Sequence, residues 1–285
     1  MNEYRINPWY EPEPDWSGES FSFLRNDDML EFHRTLPGYN PTELKSLPVL
    51  AEELGLGAVY VKDESARFGI KSFKALGASY AIFSCLNTEY RLRFGESLSP
   101  ADFISGSGKL DLLPARIFCA ATDGNHGRAV AWTARMLKQQ AIIYMPADSA
   151  LQRIKNIENE GACVVLVEGT FDDCVGLCDR DARKKGWQVL SDTAYAGYME
   201  IPKYIMLGYT SIFNELEGAL LNAEDPGTDI VFLQTGVGGL SAAAAAFYAK
   251  RFGNLRPRLV CVEPVSSDCF LESIKQGMPS RSRGR

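Results

Sequence analysis

Short apolar runs alternate along this 285-residue chain with longer stretches in which apolar residues recur every three or four positions. Residues 116–122 (RIFCAAT) read as a buried strand followed by a helical pattern over 126–139. Residues 141–145 (AIIYM) read as a second strand, and the helical pattern over 150–160 closes at Gly161. A third strand over 162–168 (ACVVLVE) precedes a helix over 172–185 stopped by Gly186, and 187–190 begin another strand. Strand runs rich in Val and Ile, separated by amphipathic helices, are the pattern of a parallel sheet with helices on its faces. About four repeats are too few for a barrel, so the layer is an open α/β sheet. A second α/β layer follows: a strand over 229–234 (DIVFLQ), a glycine turn, an alanine-rich helix over 241–250 and a strand over 258–262 (RLVCV). Upstream, 59–62 (VYVK) form a short strand that ends in Asp63 and Glu64. Residues 96–111, with Pro100, Gly106 and Gly108, break the pattern and read as an exposed loop.

Composition narrows the class. Hydrophobic residues at 46% and charged residues at 23% are those of an ordinary folded protein, which excludes disordered and disulfide-stapled chains. Thirty basic against 36 acidic residues give a net charge of −6, which offers no footprint for nucleic acid or an anionic membrane. The most hydrophobic stretch, 240–249, is too short to span a bilayer. Seven cysteines without a CxxC, and only two histidines (His33 and His126), leave little for a metal site, so no metal is expected. Cys174 and Cys178 lie four apart on a helix, a poor geometry for a bridge, and the thiols are expected to be buried and reduced. The polar, acidic, proline-bearing start reads as neither signal nor transit peptide, so a cytoplasmic protein is expected.

Four segments have the makings of a site. In Lys71-Ser72-Phe73-Lys74-Ala75-Leu76-Gly77-Ala78, a lysine at a helix entry stands beside an aromatic and before small residues that let the backbone approach a flat ring. That arrangement suits a Schiff-base amine, and desolvation is expected to lower its pKa so that the neutral nucleophile exists near pH 7. The alternative is that Lys71 and Lys74 are surface charges one turn apart. Thr122-Asp123-Gly124-Asn125-His126-Gly127 follows a parallel strand and opens a helix, where ligands of open α/β sheets bind and where free amides take carboxylates; Asp or Asn there equally caps the helix. Gln234-Thr235-Gly236-Val237-Gly238-Gly239-Leu240-Ser241 forms an anion nest suited to phosphate. With Glu263 closing the next strand, it also admits an NAD-binding oxidoreductase. Asp192, in a loop after a strand, is either an acid/base or amine-clamping group or a loop residue near a domain junction.

The order of these segments resembles the fold-type II pyridoxal-phosphate enzymes, the tryptophan synthase β-like superfamily that includes the serine and threonine dehydratases. The stretches FGIKSFKALGASYA, ATDGNHGRAVAW, IIYMP, SDTAYAGY, IPKYIMLGY and QTGVGGL look like those of the diaminopropionate ammonia-lyases. The likeness runs from about residue 7 to 269 and is densest over 59–206. Asp123 stands where the dehydratases more often have Ser, which favours the lyases. The resemblance implies two open three-layer α/β domains with mostly parallel sheets: a large cofactor-binding domain from 1–84 plus 199–285, and a small domain from 85–198. It implies pyridoxal 5'-phosphate joined to Lys74 and flanked by Phe73, with Asn125 at the ring's phenolic oxygen. The phosphate would rest on Gly236, Val237, Gly238, Gly239 and Leu240. Thr122, Asp123, Gly124 and His126 would hold the substrate carboxylate. Lys74 would serve an L substrate, Asp123 a D substrate from the opposite face, and Asp192 the leaving amine. The implied reaction is α,β-elimination of 2,3-diaminopropionate to pyruvate and ammonia, and the implied partners are a small amino acid and a second subunit of a homodimer.

Relatives in this family run on past residue 285, and nothing after Glu263 supplies a group for the pyridine nitrogen. A C-terminally truncated chain with an unpaired sheet edge is therefore expected, and with it doubtful activity. Alternatives are a serine or threonine dehydratase-like enzyme and a catalytically impaired homologue.

Overall fold

The structure is a computed structural model that describes residues 4–10, 29–104, 108–195, 197–223 and 227–280. The chain forms two compact units, Asp28–Ala219 and Met1–Asp27 with Leu220–Arg285.

In the Asp28–Ala219 unit, α1 (Met29–Thr35), β1 (Leu44–Ser46), α2 (Pro48–Leu54) and β2 (Tyr60–Lys62) come first. The 59–62 strand therefore lies outside the parallel sheet, since β2 pairs antiparallel with β1. The long α3 (Lys74–Phe94) and the short α4 (Pro100–Ile104) follow. The α/β repeats are β3 (Ile117–Ala121), α5 (Asn125–Met136), β4 (Gln140–Pro146), α6 (Leu151–Glu158), β5 (Cys163–Val167), α7 (Phe171–Lys185) and β6 (Gln188–Val189), and α8 (Glu200–Asn222) comes last.

All pairs in the four-stranded sheet are parallel, in the order β5-β4-β3-β6. The chain steps outward from β3 to β5 and then returns to the other side of β3. The point where strand order reverses therefore lies between β3 and β6, and the crevice at their carboxyl ends is where such sheets bind ligands. Alternation along the strands puts Cys119, Tyr144 and the partly buried Ala121, Ile142, Val165, Val167 and Val189 on one face, where Cys174, Cys178 and Ala182 of α7 cover them. Helix α7 has clear ends: Thr170 and Asp173 form a reciprocal capping box, and Gly186 closes it in the left-handed conformation at φ 71°.

The loop expected over 96–111 is, in its described residues, partly helical and partly buried. Ser99 and Asp102 bond reciprocally at the start of α4. Phe103 is buried against Phe32 and Phe83, with ring centroids 5.3 and 5.4 Å away. Proline and glycine mark the breaks in this segment but hide the aromatic anchor between them.

Two arrangements fix α3, which carries Lys74. The first is a glycine crossing with α8. A Cβ on Gly208 would lie 2.8 Å from the Gly77 Cα and 2.9 Å from the Leu76 carbonyl carbon, with the Leu76 oxygen nearer still. A Cβ on Gly77 would lie 2.5 Å from Cε1 of Tyr209. The two helices thus meet backbone to backbone, and Tyr209 comes to stand beside the first turn of α3. The second is a buried charge cluster. Both oxygens of Glu215 on α8 accept from Arg67, at 2.7 and 2.8 Å, and Glu215 also accepts from Lys62 Nζ at 2.7 Å and Tyr39 Oη at 2.8 Å. Arg67 donates its remaining hydrogens mainly to Glu64. Two cations and two carboxylates neutralise one another there and pin the segment leading to Lys74. Burial opposes ionisation of Glu215, but Arg67 and Lys62 hold its carboxyl down at about 2.

The other unit contains β7 (Ile230–Gln234), α9 (Gly239–Phe252), β8 (Arg258–Val262) and α10 (Cys269–Gln276). β7 and β8 are parallel, with Phe232 opposite Val260, and Trp9 Nε1 donates to the Ile274 carbonyl at 3.1 Å.

Candidate active site

The two lysines of the SFK segment separate clearly. Lys71 is exposed on a left-handed backbone (φ 59°). Lys74 is the first residue of α3 and turns inward, its Nζ 2.6 Å from Oδ2 of Asp192. The Lys74 side chain is 23% exposed and the Asp192 side chain 18%. Phe73 and Tyr209 meet edge to face with centroids 5.1 Å apart, and the amine lies 5.6 Å from the centre of each ring. Two aromatic rings thus flank one part-buried amine.

Its protonation differs from the sequence expectation. Burial does pull the Lys74 pKa down, but Tyr209 and Asp192 outweigh it, and the amine is held protonated above the ordinary lysine value. Burial pushes Tyr209 itself up to about 12, so at neutral pH it is an uncharged phenol and the Asp192 charge does the work. Burial also opposes ionisation of Asp192, yet His126 and Lys74 bring its pKa down to about 2. The sequence could not show that a carboxylate 118 residues away meets the lysine.

Asp192 and the Thr122–Gly127 segment converge because they follow β6 and β3, the two strands flanking the reversal of strand order. His126 Nε2 bonds the Leu190 carbonyl at 2.7 Å and so joins the two strand ends. Its Nδ1 lies 3.9 Å from Oδ2 of Asp192. Tyr198 holds the same strand end, donating to the Val189 carbonyl at 3.0 Å and accepting from the Ser191 amide at 2.9 Å. Thr122 is buried, and its Oγ1 accepts from the amides of Gly124 and Gly127 at 3.0 and 3.2 Å. It therefore braces the loop with its side chain. Asp123 and Asn125 are exposed at the start of α5, and neither side chain makes a hydrogen bond among the described residues. Arg153 donates to the Asp123 carbonyl at 3.2 Å.

The glycine turn belongs to the other unit. Gly238 is left-handed (φ 87°) and caps α9, while Oγ of Thr235 and Ser241 are 2.7 Å apart. The first amides of a helix have no intrahelical partner, so this turn offers donors to an anion. Glu263 does not behave as a ribose acceptor: its two oxygens take the amides of Phe270 and Leu271 at 2.8 and 2.7 Å and cap α10.

Lys74, Phe73, Asp192 and His126 are thus brought together. Two features escaped the sequence reading: Tyr209, which lies in the quoted stretch IPKYIMLGY without a role, and the side chain of His126. Both bear buried polar atoms that meet no partner within hydrogen-bond geometry among the described residues, Tyr209 Oη and His126 Nδ1. Unsatisfied buried polar atoms are uncommon in folded proteins. Two of them around an amine in an aromatic pocket fit a polar, ring-bearing guest that bonds the lysine. Among the described residues no group of His, Cys, Asp and Glu could hold a metal ion, and no helix is long and apolar enough to cross a membrane.

An open parallel α/β sheet with a lysine-centred pocket at its reversal point defines an enzyme-like site built around one amine. The chain belongs to the family of pyridoxal-phosphate dependent enzymes, whose family model matches residues 35–284. It is 38% identical over 260 residues to a diaminopropionate ammonia-lyase of Salmonella typhimurium, covering 90% of this chain and 64% of that one. To the Escherichia coli K12 diaminopropionate ammonia-lyase it is 37% identical over 247 residues, covering 87% of this chain and 60% of the relative. The chain thus spans less than two thirds of the length of these curated relatives. The crystal structure of the Escherichia coli enzyme in complex with D-serine superposes with a TM-score of 0.85 at 33% identity, over 96% of this chain and 67% of that one. A threonine deaminase of Solanum lycopersicum, at 22% identity and a TM-score of 0.69 over 94% and 62% of the two chains, shares the fold.

Proposed function

We propose that the chain carries the active site of a pyridoxal-phosphate-dependent ammonia-lyase that converts 2,3-diaminopropionate to pyruvate and ammonia. The carrying observation is the Lys74–Asp192 pair at the reversal point of the sheet, with unsatisfied polar atoms around it. Lys74 would hold the cofactor through Nζ, with Phe73 beside the ring and Asn125 at its phenolic oxygen. The amides of Gly236, Val237, Gly238, Gly239 and Leu240 would take the phosphate, and the Thr122, Asp123, Gly124 and His126 segment the substrate carboxylate. When bound, pyridoxal phosphate supplies an electron sink for negative charge at the substrate Cα.

The rest is the work of this chain's residues. Lys74 Nζ, once deprotonated, would take the Cα proton of an L substrate, and Asp123 that of a D substrate from the other face. Asp192 keeps the Lys74 amine charged while the two are paired. With that amine engaged elsewhere, the part-buried Asp192 carboxylate would lose its lysine partner, and a second substrate ammonium can pair with it where a hydroxyl cannot supply a charge. This is the physical ground for a diamino acid rather than serine or threonine. We further propose that 85–198 act as the small domain and 1–84 with 199–285 as the large one, that the active assembly is a homodimer, and that the protein works in the cytoplasm.

The test is an absorption spectrum of the purified protein with pyridoxal phosphate, then borohydride reduction and peptide mapping. A visible band and a pyridoxyl group on Lys74 are expected, with pyruvate formed faster from 2,3-diaminopropionate than from serine. Folded protein that leaves Lys74 unlabelled, or that prefers serine, overturns the reading.

A further inference from the structure

We propose that His126 is a further acid–base residue of this site, taking a proton at Nδ1 and becoming the partner of Asp192 whenever Lys74 is withdrawn from that carboxylate. The event that withdraws Lys74 is the cofactor attachment proposed above, so in that respect the inference rests on that reading.

The argument starts from the tautomer. Nε2 of His126 is 2.7 Å from the Leu190 carbonyl, which can only accept, so Nε2 carries a hydrogen. In the neutral ring Nδ1 then holds a bare lone pair. It is buried, has no hydrogen-bond partner among the described residues, and faces Oδ2 of Asp192 at 3.9 Å. Two acceptors facing one another in a part-buried site repel unless a proton lies between them. The other histidine shows what a completed ring looks like. His33 Nε2 donates to the Leu76 carbonyl at 2.9 Å, and its Nδ1 accepts from the Ser211 hydroxyl at 2.7 Å. His126 has the first bond and lacks the second.

What quiets the conflict in the present arrangement is Lys74. Its ammonium bonds the same oxygen, Oδ2, that His126 faces. Removing the amine leaves the part-buried carboxylate with His126 as the neighbour able to acquire a positive charge. A proton from solvent added to Nδ1 restores the balance: lysinium and carboxylate before, imidazolium and carboxylate after. The other groups around the ring do not supply this. Tyr209, near Lys74, is a neutral phenol, Tyr198 already bonds the 189–191 backbone, and the Arg153 side chain lies against Gly124. The amides at the start of α5 disfavour a cation on His126, and Asp123 beside them is exposed, so Asp192 must supply the proton affinity.

Because the chain has two histidines, ring-nitrogen NMR of the protein labelled with 15N-histidine shows two imidazoles, and His33 serves as a neutral reference. The unmodified protein at pH 7.5 supplies the reference spectrum of the His126 ring. In Lys74→Met its titration midpoint should rise by about one pH unit or more, a tenfold gain in proton affinity, and Asp192→Asn added to that variant should abolish the rise. Should Lys74→Met fold poorly, adding pyridoxal phosphate to the unmodified protein makes the same test, with His126 gaining a proton as the visible band forms. A band without any change at His126 overturns the inference and leaves the proposed function standing. A rise in Lys74→Met without a band in the unmodified protein does the reverse. An identical midpoint in all variants, or a ring carrying its proton on Nδ1 alone, also overturns it.

Discussion

Replacing Gly208 with alanine tests whether the α3–α8 crossing holds the site together. The added methyl would sit 2.8 Å from the Gly77 Cα and 2.9 Å from the Leu76 carbonyl carbon. Ordinary carbon contacts begin near ~3.5 Å, so the helices must separate by roughly 0.7 Å. Overpacking costs about 1–3 kcal/mol, and here the upper end applies because the obstructing atoms are backbone and cannot rotate away. Alanine returns about 1 kcal/mol of helix propensity. The net loss is about 2 kcal/mol, and at roughly 2–4 °C per kcal/mol for a domain of this size the midpoint should fall by about 4–8 °C. Gly218 is the control: it lies on the same helix, and a Cβ there meets nothing within 4 Å. Gly218→Ala should be neutral or stabilising by up to ~1 kcal/mol. Thermal melts followed by circular dichroism decide the matter, with pyridoxal phosphate capture as a second readout because the shift moves Tyr209 relative to Lys74. A Gly208→Ala protein as stable as Gly218→Ala would refute the close crossing.

Glu215→Gln removes one carboxylate from a buried cluster and leaves Arg67 and Lys62 partly uncompensated, at a cost of about 3–5 kcal/mol. Because the Glu215 pKa is lowered to about 2, its stabilisation is complete above the ordinary glutamate range and is lost as pH falls toward 2, so urea melts should show the variant's deficit shrinking in acid. Asp192→Asn takes away the charge that holds Lys74 protonated, and burial then prevails, so the amine's pKa should fall below the usual lysine value. Competitive acylation of Lys74 against pH, read by mass spectrometry, measures this, and an unmoved midpoint would refute the pairing. The sign is fixed: a raised lysine pKa stabilises the fold at pH below the ordinary lysine value, and the contribution disappears as pH climbs through the folded pKa.

Much of the fold could be read from periodicity because the parallel strands are short apolar runs, those of β3 and β4 largely buried, and α7 and α9 end at glycines. β3, β4, β5, β7 and β8 stand where the apolar runs place them, and Gly186 stops α7. The antiparallel pairing of β2 was hidden because β1 is three residues long, without an apolar run. Of the site, Lys74 and Asp192 were each recognisable as chemically able, while their contact depends on strand order, which no local pattern carries. Tyr209 escaped because a tyrosine inside a long apolar helix looks like core until the glycine beside it brings α3 within reach. The reversed protonation of Lys74 has the same origin: burial can be guessed from neighbours in sequence, whereas a neutralising charge arrives from another part of the chain.

The cluster at Glu215 also simplifies kinetic work. Its lysine and arginine are matched by two acids, the Glu215 carboxyl is held down at about 2, and His33 is pushed down to about 3 by burial, so neither Glu215 nor His33 changes charge near neutral pH. A pH–rate curve between roughly 5 and 9 therefore needs no correction for a loosening of the scaffold at Glu215 or His33.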